Sequence, residues 1–269
     1  MMKKFIFATF LFCFFTHSSR AAIAVVQAAN NQVTSATAST INTSGNMVAT
    51  TAGNLLYISC YEGVNNTSTL AITDSASQTW IQAGGYVSAD TSSNQAGFYK
   101  PNSASVTSIT GTWSGSLSAT IPCIMYEISG AATGNPFDAN TSNPASSSNT
   151  ASGNTLNSGT LSTNNTNDIL LYAVGIGGNA GTNWIADTGH GYSFPTNSNT
   201  GSTGRLGIES KIVSSPQNGV TTFITTSNAQ LHRTGIFVAF ADTNQPAQMN
   251  INFGIGGKAA VGGKTVIGK

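Results

Sequence analysis

The run Ile121-Pro122-Cys123-Ile124-Met125-Tyr126-Glu127-Ile128-Ser129-Gly130 is the densest apolar stretch after the chain's first residues. Apolar side chains fall on its odd and even positions alike. A strand points successive side chains to opposite faces, so the run is predicted to be a central strand buried on both sides. It is read as the middle of a β-sandwich. The residues before it supply strands to pair with it, and those after it return to the same two sheets.

The flanking sequence supports an all-β chain. Strands are predicted at 23–27, 55–61, 70–74, 79–82, 97–100, 105–113, 168–176, 184–187, 206–213, 220–225 and 235–240, with weaker ones at 32–40 and 155–162. Gly, Asn, Ser and Pro separate them, and 129–165 otherwise reads as loop. Asp74-Ser75-Ala76-Ser77 has turn chemistry, because Asp and Ser side chains bond nearby backbone N–H groups. No window of helical length repeats apolar residues at three-and-four spacing. The expected fold is a two-sheet antiparallel β-sandwich, jelly-roll-like, over residues 22–243. Its first strand near residue 23 and its last near residue 240 are expected to pair.

Both ends differ from this body. Lys3 and Lys4 precede an apolar run of 11 residues, 5–15. A bilayer span needs about 20, so 1–21 reads as a signal peptide, cut after Ser19-Arg20-Ala21 or at Ala22-Ile23-Ala24. A retained anchor is the alternative. No later segment is apolar for long enough to cross a membrane as a helix. Residues 244–269 form a linker and a Gly/Lys-rich tail, in which Ile255, Val261 and Ile267 recur with period six, each followed by glycine. So few repeats do not bury a core. The tail either docks on the sandwich, associates with a neighbouring copy, or stays mobile.

Charged residues make up only 7% of the chain, while Ser, Thr and Asn supply about a third. A surface solvated by hydroxyls and amides suits a secreted or cell-surface protein with many turns. Between residues 22 and 250 the basic side chains are Lys100, Arg205, Lys211 and Arg233, against nine acids. That excludes a basic patch able to grip nucleic acid. Cys60 and Cys123 both lie in strand-like runs. They form either a disulfide, which an oxidising compartment permits, or a pair of buried thiols.

Chemistry is sparsely marked. There is no G-x-S-x-G elbow, and His190 and His232 read as surface or strand-end residues. Glu127 and Glu209 interrupt apolar strands. They are either satisfied structural acids or the two carboxylates of a glycan hydrolase. Asp74, Asp138 and Asp187 are candidate Ca²⁺ ligands, although no Asp-x-Asp-x-Asp run accompanies them. Trp80, Trp113 and Trp184, with Tyr86, Tyr99 and Tyr192, offer either a platform for sugar rings or core packing. Trp113, close to Gly111 and Ser114, is the one expected at the surface.

The ordered set Thr51-Ala52-Gly53-Asn54-Leu55-Leu56, Thr73-Asp74-Ser75 with Thr79-Trp80, Tyr126-Glu127-Ile128-Ser129-Gly130, Asn135-Pro136-Phe137-Asp138 and Asp168-Ile169-Leu170-Leu171 resembles a broad group of secreted bacterial and phage-associated jelly-roll domains of uncharacterised function. The likeness covers about residues 23–241 and rests on the order of short motifs. It implies a lectin-like or carbohydrate-module-like sandwich and offers no catalytic residue.

Three functions stand as expectations. The first is an exported, non-enzymatic surface protein acting by adhesion or by contact with a glycan or surface polymer. The second is a structural virion or appendage subunit whose tail docks on a neighbour. The third is a glycan-active hydrolase using Glu127 or Glu209.

Overall fold

A computed structural model describes residues 22–242, apart from 65, 66, 115–118, 179, 182 and 202. The signal peptide expected over 1–21 and the linker and tail expected over 244–269 lie outside the described residues. The body is all-β and antiparallel, with one 3-10 turn at Thr188–His190.

Its first half contains β1 (Ala24–Ala36), β2 (Ala38–Asn42), β3 (Leu55–Glu62), β4 (Leu70–Asp74), β5 (Ile81–Gln82), β6 (Asn94–Lys100), β7 (Ser108–Trp113) and β8 (Ala119–Ser129). These form a five-stranded sheet, β1-β8-β3-β6-β5, faced by a three-stranded sheet, β2-β7-β4. The second half contains β9 (Ala145–Asn149), β10 (Gly153–Asn157), β11 (Asp168–Gly175), β12 (Trp184–Ile185), β13 (Leu206–Val213), β14 (Phe223–Gln230) and β15 (Arg233–Ala241). It forms a four-stranded sheet, β13-β11-β15-β9, faced by a three-stranded one, β10-β14-β12.

The halves share one topology. Strand order β1-β8-β3-β6 in the first corresponds to β9-β15-β11-β13 in the second, and β2-β7-β4 corresponds to β10-β14-β12. In each half the chain alternates between a larger and a smaller sheet, which is jelly-roll connectivity. The edge segment before β6 corresponds to residues 193 and 199, which bridge to β13. The expected sandwich is therefore present twice.

The larger sheets pack face to face. Leu55, Tyr57, Tyr61, Ile124, Tyr126 and Ile128 of the first meet Ile169, Leu171, Leu206, Ile208, Val238 and Phe240 of the second. Alternate residues of the same strands face outward. Leu56, Ile58, Cys60, Cys123 and Met125 pack on Ile41, Ile109 and Trp113 of the first small sheet. Leu170, Tyr172 and Phe237 pack on Leu156 and Ile224 of the second. This four-layer stack explains why β3, β11 and β15 are buried at every position.

Three expectations need correction. The segment after residue 130 does not return to the first two sheets but builds two of its own. β1 and β15 do not pair, since they belong to different sheets, although Ile23 and Asp242 line one shallow pocket. Part of the region read as loop holds β9, whose Ser- and Asn-rich sequence carries almost no apolar signal, while β10 overlaps the weak strand expected at 155–162 but starts and ends earlier.

Polar bonds tie the two units together. Tyr61 Oη donates to the His232 carbonyl (3.2 Å), Tyr126 Oη to the Ile208 carbonyl (2.6 Å), and Thr234 Oγ1 to Gln95 Oε1 (2.8 Å). Gln95 Nε2 also donates to the Ala173 carbonyl (3.2 Å). Buried polar groups need such partners, and these ones set the register of one sheet on the other.

Candidate functional site

The most developed polar cluster lies at one end of the second unit. Asp187 follows β12 and caps the 3-10 turn. Its carboxylate accepts from the His190 backbone N–H at 3.2 Å and meets His190 Nδ1 at 2.6 Å. Gly191 closes the turn at φ 82°, a left-handed conformation that glycine adopts without strain. The imidazole is thereby held by its Nδ1 while the side chain stays 67% exposed.

Glu209, on β13, lies beneath. Its Oε2 accepts from the Asp187 backbone N–H (2.9 Å) and its Oε1 from Thr222 Oγ1 (2.6 Å). The same hydroxyl is 3.4 Å from Asp187 Oδ2, so the two carboxylates share one small polar chamber. Both acids are buried. Burial, opposed by the two donors, pushes the Glu209 carboxyl up to about 7.

Two residues along β13, Lys211 places Nζ 5.5 Å above the centre of the Tyr192 ring, within cation–π range. His190, Tyr192, Lys211, Gly219, Val220 and Thr221 line an open cleft of about 270 Å³. It offers an imidazole, an ammonium and an aromatic ring, close to the lower size limit of small-ligand pockets.

The other predicted site residues are dispersed. Glu127 is buried and accepts from Gln27 Nε2 (2.6 Å), the Thr51 N–H (2.7 Å) and Asn54 Nδ2 (2.6 Å). It fastens the loop before β3 to β8. Trp113 is 1% exposed and belongs to the first unit's outer core, contrary to the expectation of a surface position. Its serine and glycine neighbours suggest exposure, but in β7 its side chain alternates onto the covered face. Tyr99 is buried between the large sheets, stacked on Phe137 at 5.5 Å. Tyr192 is buried too, and Tyr86 is partly exposed.

Trp80 and Trp184 are half-buried at opposite outer layers. Trp80 Nε1 donates to Asp74 Oδ2 (2.8 Å), and Trp184 Nε1 to the Gly201 carbonyl (2.9 Å). These aromatics do not share one face, so no joint platform arises from them. Cys60 and Cys123 stand opposite each other on β3 and β8 and are joined in a disulfide.

The proposed calcium ligands are also separate. Asp74 accepts from the Ala76 and Gln78 N–H groups, Asp138 from those of Asn140 and Asn164, and Asp187 serves the His190 turn. Among the described residues, no three His, Cys, Asp or Glu side chains converge as a metal site. His190 and Lys211 were not singled out as partners by the sequence. The available signal was Asp187 three residues before His190, which matches a capped turn.

No protein-family model matches the chain, and no curated protein matches its sequence.

Proposed function

We propose that the protein acts outside the cytoplasm as a non-enzymatic β-sandwich that contacts a glycan or surface polymer through the cleft between His190 and Lys211. The observation that carries this reading is the cleft itself: a ring floor under a cation, beside an imidazole oriented by a buried carboxylate. Polar ligands with an apolar face suit such a lining. The Cys60–Cys123 disulfide supports an oxidising compartment, and the N-terminal leader is consistent with export.

The hydrolase reading has less support. Glu127 is saturated by three donors, and both Glu209 oxygens are engaged beneath the surface. Neither lines the cleft, whereas a glycosidase needs two carboxylates across one accessible bond.

The test is a glycan array and polysaccharide pull-down with the secreted chain, comparing the wild type with H190A/K211A. Retention of a defined glycan that drops at least tenfold in the double variant supports the reading. Retention unchanged by the substitutions, or none across the array, refutes it.

A further inference from the structure

The two units handle the start of their second large-sheet strand differently. Asn54 directly precedes Leu55, which pairs with Ile128; Asp168 directly precedes Ile169, which pairs with Phe240. The two positions are therefore equivalent. In the first unit Asn54 Nδ2 and the Thr51 N–H donate to Glu127. In the second, Asp138 takes over the role of Glu127, accepting from the Asn140 N–H (2.8 Å), the Asn164 N–H (3.0 Å) and Asn165 Nδ2 (2.6 Å). Asn165 supplies the side-chain amide here, and the position that Asn54 holds in the first unit is taken by a second carboxylate, Asp168.

Asp168 is 0% exposed, and neither of its oxygens has a hydrogen-bond donor in bonding geometry. Burial pushes its carboxyl up to about 7. The nearby Thr163 and Asn165 side chains moderate this, and the Asp138 charge adds to it. His190 is paired with Asp187 and His232 with Asp90, away from this corner. Lys211 holds its ammonium over Tyr192. A buried carboxylate beside another carboxylate is costly unless something positive lies between them.

We infer that Asp168 and Asp138 form a binding site for a hard divalent cation, Ca²⁺ being the best fit, where the first unit uses an amide–carboxylate pair. Calcium takes six to eight oxygens and accepts carboxylates, amide oxygens, hydroxyls and waters together. The Asp168 and Asp138 carboxylates and the Thr163 hydroxyl provide such oxygens, waters would complete the shell, and the Asp242 charge acts on the same corner. The cation would tie the loop before β11 to the segment before β9.

The test is thermal unfolding of the secreted full chain, stripped with EGTA and then titrated with CaCl₂, with MgCl₂ as a control, together with calorimetric titration of Ca²⁺. The wild type is expected to gain a saturable rise of several degrees in Tm with one bound Ca²⁺. Asp168→Asn puts at this position the residue type of Asn54 and removes the unpartnered buried carboxylate, so it should fold at least as stably in EGTA and lose the calcium response. A wild type indifferent to Ca²⁺, or a D168N variant that still responds, overturns the inference. The first of these results leaves a shared proton as the solution at this corner.

Discussion

Tyr61 of the first unit packs its ring against Gly175 of the second. A Cβ on Gly175 would sit 2.2 Å from Tyr61 Cδ2, closer than real atoms approach. The absence of one methyl group is thus what lets a tyrosine cross the central layer and bond the His232 carbonyl. Gly175→Ala is expected to destabilise the protein by about 1–3 kcal/mol through overpacking. Urea unfolding would show this as a lower midpoint, and an unchanged midpoint would count against such close packing of the units.

The disulfide should stabilise the first unit substantially. Cys60 and Cys123 are 63 residues apart, so the bridge closes a long loop in the unfolded chain. Gly111 lies over it, where a Cβ would be 2.6 Å from Cys60 Sγ and 2.9 Å from Cys123 Sγ. Reduction, or the double change C60S/C123S, is expected to cost about 2–4 kcal/mol. Denaturation with and without dithiothreitol measures this, and equal curves would sink it.

Glu127 predicts a second sensitive point. Its removal strands three donors at a buried position. Glu127→Ala should cost about 2–4 kcal/mol, more than Glu127→Gln, which keeps one acceptor. The loop holding Thr51 and Asn54 should also exchange its amide hydrogens faster, which mass spectrometry would detect.

Glu209 should make stability depend on pH. Its carboxyl is raised in the folded protein to about 7 from 4.5. A folded state that binds the proton more tightly is favoured at low pH. The contribution is full below pH 4.5 and is lost as pH rises through 7, a change of roughly 3 kcal/mol. Glu209→Gln should flatten this part of the stability profile between pH 4.5 and 8. If wild type and variant have parallel profiles over that range, the carboxyl is not perturbed as described.

Strand identity was legible wherever burial is uniform. Residues 55–61, 121–128, 168–175 and 235–240 carry apolar side chains on both parities, and each lies in a strand of a large sheet covered on both faces. β9 was not legible, because Ser and Asn at a sheet edge leave no alternation to read, and β10 was legible only as a weak strand with displaced ends. At Trp113 the local Gly and Ser context pointed outward, but strand register placed the ring in the core.

Composition and patterning alone determined an antiparallel all-β body poor in charge. Only the tertiary structure decided that the strands form two jelly rolls back to back, that Asp187, His190 and Glu209 meet, and that Asp168 is buried without a donor. The reason is the range of the forces involved. Alternation records whether a side chain is covered, a property each residue carries locally. Which sheet covers it, and which polar group lies opposite, is set by pairings between residues tens of positions apart, whose loops carry little trace of the choice.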